Sequence, residues 1–200
     1  MPSGEGVAVL VLAAGGSARL GRPKQLLPYR GGVLLDAALD TARESHVDQI
    51  ILAVGGSAGE VVRVVDTSRC DVVLNSHYGD GCSSSIAAAL PALRPEIGLL
   101  MLLLADQPGI RPETVQLLID ERGESDIAVT RYEDGIGHPF AFARPLFADL
   151  ACLHGDRGVW GLIERRAAEV REVPAPGRIP LDVDTEADYR QLLAELEEAR

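Results

Sequence analysis

The chain has almost no lysine. Lys and Arg together supply 19 of its 200 residues, and Lys24 is the only lysine. Paired cysteines are missing too: Cys70, Cys82 and Cys152 form an odd, scattered set with neither disulfide nor zinc spacing. His46, His77, His138 and His154 make no ligand pair at helical spacing. No apolar run approaches the roughly 20 residues of a membrane-spanning helix. The first such run, residues 7–14, follows Glu5 with no basic stretch before it, so no signal peptide is expected. A net charge of −11 argues against nucleic acid and membrane as partners, because anionic surfaces would repel it. What these absences leave is a single domain over residues 1–200, long enough for a proper core, in a reducing cytoplasm.

Two familiar nucleotide motifs are also lacking. The dinucleotide fingerprint needs G-x-G-x-x-G opening directly into a helix, whereas Gly15 and Gly16 are adjacent and Pro23 and Pro28 interrupt any early helix. The Walker spacing fails because Arg22-Pro23 stands where Lys-Ser/Thr should follow Gly21.

What is present is a loop of small residues after an apolar strand. Leu12, Ala13, Ala14, Gly15, Gly16 and Ser17 can turn sharply and expose backbone N–H groups. Arg19, Arg22, Lys24 and Arg30 fall within residues 6–35, a stretch with no Asp or Glu. Amides plus cations in an otherwise acidic protein suit a small polyphosphate. A lone ammonium is a compact, mobile charge that can follow a phosphate along a reaction path, as a planar guanidinium cannot.

The remaining chain alternates strand and helix. Helical spacing of apolar residues predicts a helix over 34–42, and strands are expected at 49–54, 71–74 and 98–105. Ser57 is positioned to cap a helix to about Val65, with Glu60 at the capping-box position. Further helices are expected over 83–93, where Pro91 curtails or kinks the helix, and from Pro112. Strands at 126–132 and 137–143 can pair across Glu133-Asp134-Gly135, followed by helices near 145–153 and 159–168, a strand at 170–173 and a helix from Glu186. This order implies an α/β/α sandwich, Rossmann-like and three-layered, on a mostly parallel sheet. Ligands in such folds bind at the carboxyl ends of strands, which gathers the Gly-rich loop, residues 75–85 and residues 105–108 on one rim.

Several residues there carry chemistry. Asp106 follows the most apolar strand and is well placed to hold Mg²⁺, which takes one or two carboxylates plus substrate phosphates. Asp182 and Asp184 share a face if residues 182–184 form a strand; Asp184 then reads equally as a metal ligand or as the cap of the last helix. Residues 75–85 are dense in small polar groups suited to reading a base and ribose. Gly137-His138-Pro139 and Gly155-Asp156-Arg157-Gly158 are Gly-flanked polar turns that can wall an acceptor.

Taken together, these motifs resemble the MobA-like nucleotidyltransferases, whose first loop reads roughly L-A-[AG]-G-x-S-x-R-[ML]-G-x-x-K. Leu12-Ala13-Ala14-Gly15, Pro23-Lys24-Gln25-Leu26-Leu27-Pro28 and Asp106-Gln107-Pro108 are most similar to the molybdenum cofactor cytidylyltransferases. The resemblance implies one nucleotidyltransferase domain, with a nucleotide-binding part over about 1–130. An acceptor-side wall carrying the second metal carboxylate is implied over about 131–200.

It also implies a reaction: CMP passes from CTP to a molybdopterin-type acceptor, with Mg²⁺ as cofactor. Arg19, Lys24 and Asp106 would be catalytic. Leu12, Ala13, Ala14, Gly15, Gly16, Ser17, Lys24, Asn75, Gly81 and Ser85 would bind nucleotide. Asp106 and Asp184 would hold the metal, and His138 and Asp156 would face the acceptor. A molybdenum hydroxylase or its chaperone is the implied transient partner. Trp160 departs from the group, which usually has a small or basic residue there, and this bears on acceptor choice. Guanylyl transfer, transfer to another phosphorylated acceptor, a non-catalytic carrier and a nucleotide-cofactor oxidoreductase are the rival readings.

Overall fold

Strands and helices take the places that the apolar pattern predicts. The computed structural model describes residues 5–15, 17 and 20–198; Gly16 and Arg19, both singled out above, lie outside the described residues. In chain order the elements are β1 (Gly6–Ala13), β2 (Pro28–Tyr29), β3 (Gly32–Val33), α1 (Leu34–Glu44), β4 (Gln49–Val54), α2 (Ala58–Val64), β5 (Asp71–Leu74) and α3 (Cys82–Ala89). There follow β6 (Ile97–Leu104), α4 (Pro112–Glu121), β7 (Ile127–Tyr132), β8 (Gly135–Ala143), α5 (Phe147–Ala151), α6 (Gly158–Arg165), β9 (Val170–Pro174) and α7 (Glu186–Glu198). Pro91 ends α3 in a short 3₁₀ turn over Leu90–Ala92, because it cannot continue the helix.

Seven strands form one sheet in the order β5-β4-β1-β6-β8-β7-β9. Within it β8 alone runs against the others, pairing antiparallel with both β6 and β7. β1 lies between two parallel partners, with Leu12 level with Ala53 of β4 and Leu104 of β6. That register brings the ends of β1, β4 and β6 to one rim, where the strand order diverges to either side of β1. An open α/β sheet places its ligand cleft at such a point.

The two faces of the sheet are covered separately. Val9, Val11 and Ala13 pack with Leu35 and Leu39 of α1 and Val115 and Leu118 of α4. Ala8 and Leu10 point the other way, toward Ile86 of α3, Leu150 of α5 and Leu162 of α6. This is the period-2 alternation of a strand buried on both faces. A third cluster, with Leu27, Leu34, Val183, Tyr189 and Leu192, fastens α7 beside the first loop.

Two local expectations are corrected. Ser57 makes no side-chain cap bond to α2, so the capping box with Glu60 does not form. Residues 182–184 are not a strand: they belong to a strap over residues 175–185 that meets the sheet end at several points, among them Val183 N–H donating to the Asp106 carbonyl at 3.0 Å and Ala175 N–H to the Arg131 carbonyl at 2.8 Å. The alternation survives without a ladder, because Val183 is fully buried and its neighbours Asp182 and Asp184 are exposed.

Phe142 of β8 is fully buried opposite Leu100 and Ile127. Phe142→Ala is expected to destabilise the fold by about 3–5 kcal/mol in urea unfolding, and a loss below about 1 kcal/mol would contradict this packing.

Candidate active site

The cleft at the rim has a volume of about 510 Å³. Its walls include Ala13, Ala14 and Gly15 of the first loop, Lys24 and Gln25, and Asp106 beyond β6. Loop geometry follows from two side chains. Gln25 is buried, and its Nε2 donates to the carbonyls of Ala13 at 2.5 Å and Gly15 at 3.1 Å. Ser17 Oγ accepts from the Lys24 N–H at 2.8 Å and closes the loop behind the lysine.

Lys24 is the electrostatic centre. Its ammonium forms an ion pair with Asp106 and donates to Asp184 Oδ1 at 2.7 Å, joining the first loop, the end of β6 and the strap. Burial alone would lower its pKa, but Asp106 and then Asp184, through charge and hydrogen bonds, outweigh that and hold it above the ordinary lysine value. The other described cations of the first segment turn elsewhere. Arg22 pairs with Glu186 at 3.3 Å, and the Arg30 guanidinium lies over the Tyr29 ring at 5.2 Å.

The neighbours of Asp184 supply the bonds that cap the last helix. At the start of α7, Asp188 Oδ2 accepts from the Thr185 N–H at 2.7 Å and the Asp188 N–H donates to Thr185 Oγ1 at 3.2 Å. Thr185 and Asp188 therefore cap the helix, and the Asp184 carboxylate reaches the lysine. The strap that delivers it is pinned to the β7–β8 turn, where the Ile179 N–H donates to Asp134 Oδ1 at 2.8 Å and Arg178 pairs with Asp134 at 3.1 Å.

A divalent cation fits this donor set. Two carboxylates converge on one cationic point, and carboxylate oxygen is the donor that Mg²⁺ and Mn²⁺ take. Among the described residues no group of three or more His, Cys, Asp or Glu side chains could hold a metal by itself. The pair would thus need phosphate oxygens to complete the shell.

The serine-rich segment divides between the cleft and the interior. Asn75 and Ser85 are buried behind the wall, where Asn75 Nδ2 donates to Ser84 Oγ at 2.8 Å and Ser85 Oγ at 3.0 Å and Oδ1 accepts from the His77 N–H. Gly81 does line the cleft. It has φ +97°, and a Cβ there would stand 2.6 Å from the Gly155 carbonyl carbon. Asp156 also lines the cleft, and its Oδ1 accepts from the Cys82 N–H at 3.0 Å at the start of α3. Asp156 therefore caps a helix of the other half of the chain. Burial, then the Asp106 and Asp156 charges, pushes the Cys82 thiol up to about 11, so it stays protonated.

Across β1 from β4, the cleft is aromatic and apolar. His138 and Phe140 rings lie 4.2 Å apart, and Trp160 meets Phe140 edge-on at 5.0 Å. Burial pushes the His138 imidazole down to about 4, which leaves it neutral at pH 7. Leu102, Leu104, Phe140, Val159 and Tyr78 are cleft residues that sequence reasoning missed. The first four read as plain core, and only their position at the strand ends exposes them to the cleft.

A mostly parallel Rossmann-like sheet defines a fold of the nucleotidyltransferase type, and a lysine and two carboxylates stand at its rim. The model of the MobA-like NTP transferase domain matches residues 9–170, and the chain belongs to this family. It is similar to the nicotine blue oxidoreductase of Paenarthrobacter nicotinovorans, with 35% identity over 115 residues, and spans 56% of that protein's length and 56% of its own. Similarity to the molybdenum cofactor cytidylyltransferase of Escherichia coli K12 is 30% over 138 residues, covering 68% of this chain and 69% of that one. Among solved structures, Rv0371c of Mycobacterium tuberculosis H37Rv is 44% identical with a TM-score of 0.90, covering 96% of this chain and 99% of that one. A structure of Rv0371c in complex with manganese matches at 43% identity and a TM-score of 0.86, covering 94% of this chain and 98% of that one.

Although Asp182 keeps surface in solvent, desolvation by the surrounding protein and then the Asp106 and Asp184 charges push its carboxyl up to about 6. The folded protein then holds this proton more tightly than the unfolded chain does. Its stabilising contribution is present below the ordinary carboxylate pKa and is lost as pH rises through about 6. Carboxyl NMR of the metal-free protein should find Asp182 titrating near 6, with Asp106→Asn moving it toward the ordinary range. An ordinary midpoint in the unaltered protein would contradict the charge crowding.

Proposed function

We propose that this nucleotidyltransferase of the MobA-like family transfers CMP from CTP to a molybdopterin-type cofactor and releases pyrophosphate. The observation that carries the reading is the Lys24 ammonium held by Asp106 and Asp184 at the rim of β1 and β6. The cytidylyltransferase relative supports the base and the acceptor. Residues 1–130 would bind the nucleotide, and residues 131–200 would supply the acceptor wall and Asp184.

An oxygen of the acceptor phosphate would attack the α-phosphorus of CTP. A new P–O bond forms as the bond to the β-phosphate oxygen breaks, and the electron pair leaves with pyrophosphate. The attacking oxygen is already anionic near neutral pH, so no side-chain base is needed. His138, neutral and packed on Phe140, fits this account as an apolar wall.

Positioning and charge neutralisation would therefore carry catalysis. The amides of residues 13–17 with Arg19 would hold the β- and γ-phosphates. Lys24 would pass from its carboxylate partners to the charge growing on the α-phosphoryl group. Asp106 and Asp184 would hold Mg²⁺, whose contribution when bound is to neutralise phosphate charge; the manganese complex of Rv0371c supports a divalent ion at this fold. The aromatic side of His138, Phe140 and Trp160 suits a planar acceptor ring.

Among the described residues no helix is long and apolar enough to cross a membrane, which accords with a cytoplasmic enzyme meeting a molybdenum hydroxylase or its chaperone. An oxidoreductase is the second reading, favoured by the 35% identity to nicotine blue oxidoreductase. The absent dinucleotide fingerprint and the retained lysine and carboxylates weigh against it.

The test is pyrophosphate release from CTP, GTP, ATP and UTP with Mg²⁺ and molybdopterin cofactor. Release confined to CTP is expected, and Lys24→Ala should lower turnover by about 10²–10³ with the circular dichroism unchanged. Release from none of the four, with NAD(P) found bound to the purified protein, would favour the second reading.

A further inference from the structure

Tyr78 is a large side chain in the cleft that the reaction above leaves without a task. It is 42% exposed and lines the cleft beside Ala14 and Gly15. The other exposed large hydrophobic residues, Val62, Val64, Val72 and Leu74, stand on α2 and β5 outside the cleft. Leaving an aromatic ring this open gives up burial energy that a core position would provide.

Its ring lies lengthwise along the turn that ends β4. A Cβ on Gly55 would stand 2.9 Å from Tyr78 Cβ and Cγ, and one on Gly56 would stand 2.8 Å from the hydroxyl oxygen and 2.9 Å from Cζ. The same atom on Gly55 would also meet the Ala14 carbonyl oxygen at 2.6 Å. Neither glycine has a positive φ, so the turn itself does not call for glycine. At Gly56 the approach of the ring does, and at Gly55 the Ala14 carbonyl and the ring do so together. Two missing side chains let the tyrosine lie along the backbone at Gly55–Gly56 while it keeps exposed surface in the cleft.

The sheet order fixes what this side of the cleft can meet. β4 and β5, which lead into Gly55 and into the Tyr78 segment, lie on one side of β1; β6 and β8, with Asp106 and the His138–Phe140 wall, lie on the other. Phosphates gathered at the first loop and Lys24 leave the nucleoside to extend toward one side and the acceptor toward the other.

We propose that Tyr78 is the platform on which the nucleotide base stacks, with Gly55 and Gly56 kept small to seat it; this rests on the nucleotidyl-transfer reading above. Stacking uses the π-face that every base has. Tyr78 therefore supplies affinity for the nucleoside, while the choice of base falls to groups that meet its edge.

Calorimetric titration of the full chain with CTP, CMP and inorganic tripolyphosphate, each with Mg²⁺, separates the contributions. Tyr78→Ala and Tyr78→Leu should weaken CTP and CMP by the same factor, about ten- to a hundredfold, and leave tripolyphosphate unchanged. Tyr78→Phe, which keeps the face and loses the hydroxyl, should bind all three as the unaltered protein does. CTP bound equally well by the Ala and Leu variants would overturn the platform and leave nucleotidyl transfer standing. Equal losses of CTP and tripolyphosphate would also overturn it, by showing that the ring only supports the loop. Failure of the unaltered protein to bind CTP would instead overturn the reading on which the proposal rests.

Discussion

One ammonium group between two carboxylates connects the three segments from which the site is made. Lys24 comes from the first loop, Asp106 from the end of the most apolar strand and Asp184 from the strap before α7. In a protein with net charge −11, two carboxylates converging at the end of a buried sheet would repel each other at short range without a cation. Asp182 shows what desolvation and then that crowding do to a neighbour, because its carboxyl is pushed up to about 6. The ammonium lies between the two carboxylates that, on the proposed function, would hold a divalent ion. Asp106 and Asp184 would hold that ion together with substrate phosphates, and Lys24 would be the mobile cation that follows the phosphoryl group.

The sheet makes this convergence possible. Parallel β4, β1 and β6 end level with one another, so the loops that follow them share a rim. Reversal of β8 turns the chain back along β6 and brings the His138–Phe140 pair to the far side of the cleft. The strap then returns over the same rim, held by Asp134 in the β7–β8 turn and by the bond from Val183 to the Asp106 carbonyl. Contact of Gly81 with Gly155, and the Asp156 cap on α3, lock the two sides of the cleft to each other. Such contacts are well suited to fixing the separation of two substrates, which is what positioning catalysis requires.

Legibility in the sequence followed how local each cause was. The apolar periods of β1, β6 and α1 and the proline at the start of α4 act within a few residues, and these elements appear where expected. Lys24 and Asp106 were visible because a lone lysine and a carboxylate after an apolar strand are unusual in themselves. Asp184 was ambiguous, because the Thr185–Asp188 cap that starts α7 is a contact made only on folding. Asn75 and Ser85 looked like ligand contacts because small polar residues after a strand suit that task equally well as internal bonding. In the structure both side chains are buried and bonded to each other. Tyr78 fell within the segment read for base and ribose but was not singled out, since its packing on Gly55 and Gly56 lies more than twenty residues away in the chain.

Because Lys24 is the only lysine, labelling lysine with ¹⁵N at Nζ reports this one group without assignment. The most direct measurement is the pH titration of that resonance in the metal-free protein and in Asp106→Asn. The account predicts a midpoint above the ordinary lysine value that falls when the Asp106 charge is removed. A midpoint at or below the ordinary value, unmoved by the substitution, would contradict the claim that the two carboxylates hold the ammonium and that the site is organised around it.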